Sequence, residues 1–322
     1  MAVLVFAENW EGKFKKLSYE LVSYGKALAK GLNTELSVMT MGSVDADELK
    51  SLGKYGAGRI VHVSGSQFQL LDNQVFTGVI AQVAAAEKAG VLVFSNNNTG
   101  KALAPRLSVR LKAGMAAGVM GLPVSYEPFK VLKKVFSGKA LGQVSLHSAI
   151  KIVTLSQNSY QLDIHNLTPE IVTFEPKVSE NRLQIIETRK ATGKVLLGDA
   201  DIVVSGGRGM KGPDNWKPIE ELADQLGAAT ACSRPVSDEG WRPHHEHVGQ
   251  TGKAVAPNLY IACGISGAIQ HLAGVSSSKF IVAINTDKDA PIFSAADYGV
   301  IGDVQKVLPA LNEAVKKFKS SH

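Results

Sequence analysis

Short apolar runs alternate with longer amphipathic stretches along most of this chain, and that alternation limits the fold more than any other feature. Val3–Ala7 reads as a strand, Ser18–Leu32 as a helix, Glu35–Met41 as a strand and Asp45–Leu52 as a helix. Arg59–Ser64 is strand-like, Phe76–Ala89 helical and Val91–Ser95 again a strand. Strands joined through helices need right-handed crossovers, which build a parallel sheet covered on both faces. From about Val119 to Leu162 the helical period fades. Segments such as Gln143–Val153 there predict an antiparallel edge or extension of a mostly parallel sheet.

Between Thr168 and Thr192 the sequence turns polar and irregular, with Pro169 and Pro176, and the alternation then restarts. A boundary there gives an N-terminal α/β layer domain over 1–189 and a C-terminal doubly wound, Rossmann-like domain over 190–322, as 322 residues suggest. In the second domain Asp201–Ser205, Ala228–Ser233, Tyr260–Gly264, Phe280–Asn285 and Tyr298–Ile301 read as strands. Pro218–Leu226 and Ala268–Ala273 read as helices. Asp303 is a cap for a last helical segment that Pro309 would kink or restart, with Leu311, Val315 and Phe318 facing inward.

Composition excludes several classes. Hydrophobic content of 45% against 20% charged leaves ample material for a core, so the chain is not disordered. No apolar run approaches the roughly 18 residues of a membrane helix, and the opening MAVLVFAENW lacks a basic leader region. A cytoplasmic protein without stable membrane insertion is expected. Cys232 and Cys263 cannot form a disulfide framework and read as reduced thiols in apolar strands. The formal net charge of +6 lies entirely before residue 190, which suggests an acidic partner for the first domain. Its basic residues are scattered and lack interleaved aromatics, which argues against nucleic acid.

In doubly wound sheets ligands collect at the carboxyl ends of the strands. After DIVVS comes GGRGMKG, in which Gly207, Gly209 and Gly212 match the G-x-G-x-x-G pattern literally. Glycines there would let backbone N–H groups approach a pyrophosphate, and Arg208 would help to hold it. The acidic residue that a plain NAD site places about 20 positions later is missing, since the next strand ends in Ser233-Arg234. VGQTGK, residues 248–253, gathers an amide, a hydroxyl and a lysine in one loop. GISGAIQH, residues 264–271, opens a helix at Ser266 or Gly267, with His271 about one turn inside. Two further strands finish at Asn285 and Asp303. Five strand ends of one domain thus carry polar groups.

The run Pro243-His244-His245-Glu246-His247 is the other cluster, but four adjacent side chains do not share one face, so no metal site is expected. Neither G-x-S-x-G nor H-E-x-x-H occurs, which leaves a hydrolase without a visible nucleophile.

These motifs together carry a resemblance. LYIACGISGAIQHLAGVSSSKFIVAIN, continuing through APIFSAADYGVIGD, is similar to the C-terminal signature of the electron transfer flavoprotein α subunit. SGGRGMK, CSRPVSDEGW and VGQTGKAVAPNLY precede it in that family's order, and MAVLVFAE and LAPRLSV agree more loosely in the first domain. The resemblance implies FAD held mainly by the second domain, and a heterodimer whose β subunit completes the site and packs on the first domain. It implies acyl-CoA dehydrogenases or other dehydrogenases as donors, a quinone oxidoreductase as acceptor, a role in fatty-acid β-oxidation, and no substrate of its own. By position, it puts Arg208 at the pyrophosphate or adenine side and Ser233 and Arg234 near the flavin ring. Val248, Gly249, Gln250 and Thr251 would contact the flavin and its linker. Ser266, Gly267, Ala268, Ile269, Gln270 and His271 would bind phosphate and the pyrimidine edge, and Asn285, Asp303 and Val304 the adenosine half.

An electron carrier must stabilise the half-reduced, negatively charged flavin. Arg234 and His271 are the expected counter-charges and Thr251 a hydrogen-bond donor that tunes the ring. A cation about 4 Å away at an effective dielectric of ~20 contributes up to ~4 kcal/mol, on the order of 170 mV for one electron. Two other readings use the same loops: an NAD(P)-dependent oxidoreductase built on GGRGMKG with Arg234 reading a 2′-phosphate, and a non-redox nucleotide-binding protein.

Overall fold

A computed structural model describes residues 1–136, 138–178, 183, 185–188 and 195–321. The chain folds into two compact units that divide after Thr188. The expected boundary at 189/190 lies outside the described residues.

The first unit is built on one sheet whose central strands are parallel. In spatial order they are Gly114–Val119, Lys151–Leu155, Ala89–Ser95, Ala2–Phe6, Glu35–Met41, Arg59–Val63 and Glu170–Thr173. An antiparallel hairpin, Phe129–Val135 with Ala140–Leu146, extends the Gly114–Val119 edge through a contact of Val119 with Lys133. The hairpin is the antiparallel extension that the fading helical period predicts, whereas the end of the segment Gln143–Val153 belongs to Lys151–Leu155, a parallel strand inside the sheet. Ala89–Ser95 is buried at every position, as a strand covered on both faces must be. Separate apolar clusters on the two faces hold alternate residues of the first strand, Val3 and Val5 on one side and Leu4 and Phe6 on the other.

Two details differ from the sequence reading. The helix expected from Phe76 starts at Asn73, because the Asp72 carboxylate accepts the N–H groups of Gln74 at 2.8 Å and Val75 at 2.9 Å. It ends at Ala86, and Ala89 already belongs to the next strand. A helix over Asn98–Leu111 has no counterpart in the reading. Its Asn97-Asn98-Thr99-Gly100 start and internal Pro105 mask the signal, whereas burial of Leu103, Ala104 and Leu107 forms it.

The second unit is a five-stranded parallel sheet in the order Ala229–Cys232, Ile202–Gly206, Leu259–Cys263, Phe280–Asn285, Tyr298–Ile301. Every pairing is parallel, so each connection crosses a face of the sheet. One face packs Val203, Tyr260, Ala262 and Ala283, and the other packs Val204, Ile261, Ile284 and Trp216. The last helix, Val304–Ser321, runs through Pro309 without restarting. Val304 and Leu308 are its buried apolar positions, with Leu311 and Val315 packed at the margin. Phe318 corrects the expectation of an inward ring: it is 65% exposed, one turn beyond the packed stripe. No helix among the described residues is long and apolar enough to cross a membrane.

Candidate functional site

Strand order sets where a ligand can sit in the second unit. The chain leaves Ile202–Gly206 for one neighbour, Ala229–Cys232, and later returns on the other side as Leu259–Cys263. That reversal opens a crevice at the carboxyl ends. A cleft of about 510 Å³ lies there, within the size range of small-molecule and cofactor sites. Arg208 follows the first of these strands, Ser233 and Arg234 the second, Ser266 the third, and Asn285 ends the fourth.

The glycine-rich run after Gly206 does not act as a dinucleotide fingerprint. Gly207 donates its N–H to the Cys263 carbonyl at 2.9 Å, and Gly209 donates to the Gly264 carbonyl at 3.0 Å. Both amides therefore zip one loop onto the other and neither is free for a phosphate. Gly264 shows why glycine is needed: its φ is +62°, and a Cβ there would lie 2.8 Å from the Gly209 Cα. Arg208 is left at the cleft wall.

Open donors come instead from the segment Ser266–Gln270. The helix starts at Ile269 rather than at Ser266 or Gly267, with Ala268 at the cap. Ser266 accepts from the Ile292 N–H at 3.0 Å, which pins the loop. Among the described residues, the backbone N–H groups of Ser266 through Gln270 meet no acceptor. Ser266, Ala268 and Gln270 line the cleft. Gly267 is packed on the Ile292 backbone and Ile269 is exposed, and neither lines it.

His271 is buried, with Nε2 2.9 Å from the Tyr260 hydroxyl. Burial pushes its pKa down to about 4, opposed only in part by the Val248 backbone. In this chain the imidazole is therefore neutral at neutral pH. A desolvated ring with no anion beside it gives up its proton.

The loop His247–Lys253 closes the other wall. Val248 donates to the Cys232 carbonyl at 3.0 Å and Gln250 to the Gln270 carbonyl at 2.7 Å, fixing Val248, Gly249, Gln250 and Thr251 along the cleft. Thr251 Oγ1 accepts from Arg234 Nη1 at 3.4 Å, and Arg234 Nε pairs with Asp238 at 3.3 Å. Pro235, Asp238, His247 and Ile265 also line the site although sequence reasoning passed over them. Asp238 was detectable as the i+4 partner of Arg234 on the short helix Arg234–Asp238.

Asn285 Nδ2 donates to the Ile265 carbonyl at 2.9 Å and braces the same loop. Asp303 and Val304 lie outside the cleft lining. Asp303 caps the last helix by accepting from the Gln305 N–H at 3.0 Å and pairs with Lys211 at 3.0 Å, which together hold its carboxyl below the usual range. Val304 is a core residue.

In the histidine-rich run Glu246 is gripped by Arg242 through two bonds of 2.8 Å, and Arg242 also reaches Glu220 at 2.9 Å. The carboxylate is thus spent on a guanidinium, and no group of three potential metal ligands occurs among the described residues. Cys232 and Cys263 are free and fully buried, and burial pushes both thiols up to about 12.

A switch-point cleft with open amides, two arginines and unpartnered ring nitrogens on His247 and His271 suits a phosphate-bearing aromatic cofactor. That defines a nucleotide-cofactor-binding domain. Comparison with known proteins names the cofactor. Residues 196–276 match the electron transfer flavoprotein FAD-binding domain, and residues 3–181 match the electron transfer flavoprotein domain. The α subunit of electron transfer flavoprotein from Mycobacterium tuberculosis is 38% identical over 98% of this chain and 99% of its own length. The Syntrophomonas wolfei protein of that description is 36% identical over 97% of this chain and 98% of its own. The Bacillus subtilis one is 33% identical, covering 98% and 97%. The chain belongs to the electron transfer flavoprotein α-subunit family. It is an FAD-binding electron carrier rather than a catalytic enzyme, which removes the NAD(P)-dependent oxidoreductase reading.

Proposed function

We propose that this chain works as one half of a heterodimer with an electron transfer flavoprotein β subunit. It takes electrons from dehydrogenases, acyl-CoA dehydrogenases among them, and delivers them to a quinone-linked oxidoreductase during fatty-acid β-oxidation in the cytoplasm. The observation that carries the reading is the convergence of four strand ends on one cleft lined by hydrogen-bond donors.

Bound FAD supplies the chemistry, the uptake and release of single electrons. The chain's own residues bind it and set its surroundings. The open N–H groups of Ser266–Gln270 and the Arg208 guanidinium hold the phosphates. Ser233 and Arg234 would hold the flavin ring, with Val248, Gly249, Gln250 and Thr251 contacting the ring and its linker, all of them lining the cleft. Gly267, packed on the Ile292 backbone, and Ile269 would shape the phosphate loop from behind, and His271, which lines the cleft, would serve the pyrimidine edge. Asn285, Asp303 and Val304 are assigned to the adenosine half, the last two from outside the cleft.

The test is co-expression with the β subunit. A yellow complex whose flavin is bleached by an acyl-CoA dehydrogenase and its substrate, and restored by a quinone-linked acceptor, is the expected result. A yellow complex that exchanges electrons only with other donors would refute the assignment to β-oxidation.

A further inference from the structure

Beneath the cleft lies a buried polar chain that FAD binding by itself does not explain. Tyr260 sits on the central strand Leu259–Cys263 and is completely buried, with its hydroxyl 2.9 Å from His271 Nε2. Ser205, on the neighbouring strand, is also completely buried, and its Oγ has no hydrogen-bond partner. It lies near the same phenol without bonding to it. His271 Nδ1 is buried, with the Val248 backbone near the ring but outside full hydrogen-bond geometry.

Two proton arrangements are possible, and they are not equal. If Nε2 carried the hydrogen and donated to the phenol oxygen, the buried phenol proton would have no acceptor among the described residues, and the Nδ1 lone pair no donor. If the phenol donates to Nε2, its proton is used. Phenol is also the better donor of the pair, and the imidazole nitrogen the better acceptor. The bond made by one ring nitrogen decides which tautomer the other presents.

We propose that Tyr260 is a positioning residue of the flavin site, whose buried hydroxyl donates to His271 Nε2 and holds that ring in one orientation and in the Nδ1–H tautomer. A bound flavin then meets a neutral ring held in one orientation. This last step rests on the reading that His271 faces the flavin.

The test is long-range proton–nitrogen NMR of the full chain labelled with 15N-histidine, in complex with its β subunit, with FAD and after FAD removal. The expected wild-type spectrum shows His271 with Nδ1 protonated and Nε2 bare. Tyr260→Phe keeps the ring and loses the donor, so the ratio of the two tautomers should fall about tenfold, the weight of one ordinary hydrogen bond. A wild-type spectrum with Nε2 protonated, or a Phe variant with unchanged tautomers, overturns the proposal. Should the variant fail to fold, the wild-type spectrum decides alone. A correct tautomer whose resonances ignore FAD would refute the placement of His271 at the flavin while leaving the role of Tyr260 intact.

Discussion

Arg234→Ala should lower the potential at which bound FAD takes its first electron, and the structure bounds the size of the effect. The Arg234 side chain is 60% exposed and pairs with Asp238 at 3.3 Å. At about 4 Å a unit charge contributes ~1 kcal/mol in water and ~4 kcal/mol at an effective dielectric of ~20. For one electron these correspond to about 40 mV and about 170 mV. That exposure puts the effect near the lower figure, and enclosure by a partner subunit would move it toward the upper. Asp238 cancels part of the field, so Asp238→Asn should move the potential the other way. Both shifts should shrink as salt rises. The assay is a spectroelectrochemical titration of the assembled, flavin-loaded complex at two ionic strengths. An Arg234→Ala potential equal to wild type, or an Asp238→Asn shift of the same sign as the arginine variant, would refute the electrostatic argument.

Other outcomes follow from single contacts. His271 has a folded pKa of about 4 against 6.5 for an ordinary histidine, so between those values the unfolded chain binds more protons. Stability should therefore be complete above pH 6.5 and fall by about 3 kcal/mol as the pH drops to about 4. In urea titrations of the flavin-free chain His271→Gln should flatten that slope, and an unchanged slope would assign it elsewhere. Arg242→Met leaves the buried Glu246 carboxylate unpaired and should cost about 3 kcal/mol or more in denaturant midpoints, with Glu246→Gln in the same chain recovering part. Gly264→Ala forces a left-handed conformation at a cost of about 1–2 kcal/mol and pushes against the Gly209 backbone. FAD affinity should fall at least about tenfold in a fluorescence titration, and wild-type affinity would show that the two loops need not touch.

Sheet class and the polar strand ends were legible because period and position carry them. Glu35–Met41, Phe280–Asn285 and Tyr298–Ile301 begin and end where the apolar runs do. Tertiary choices were not legible. The helix Asn98–Leu111 forms against its local propensity because the sheet buries Leu103 and Leu107. GGRGMKG looks like a phosphate loop, yet the Cys263 and Gly264 carbonyls claim its amides from a strand more than fifty residues away. No spacing rule shows that competition. Asp303, which ends a strand in the sequence, is spent on a helix cap and on Lys211. His271 looked like a cation because its type permits one, whereas charge state depends on burial that sequence does not show.

The electrostatics of the cleft point to a site whose field is held in reserve. Its histidine is neutral, and Arg234 is shared with a carboxylate and open to water. In that state the chain presents little net charge to an oxidised, uncharged ring. With FAD bound, the Arg234 guanidinium and the His271 ring would already be in place beside it, and an adjacent anion would raise the histidine pKa. A permanently cationic site would bind the reduced flavin too firmly to release its electron, and a fully apolar one would not accept it. The pairing of Arg234 with Asp238 and the burial of His271 against Tyr260 keep this site between those limits.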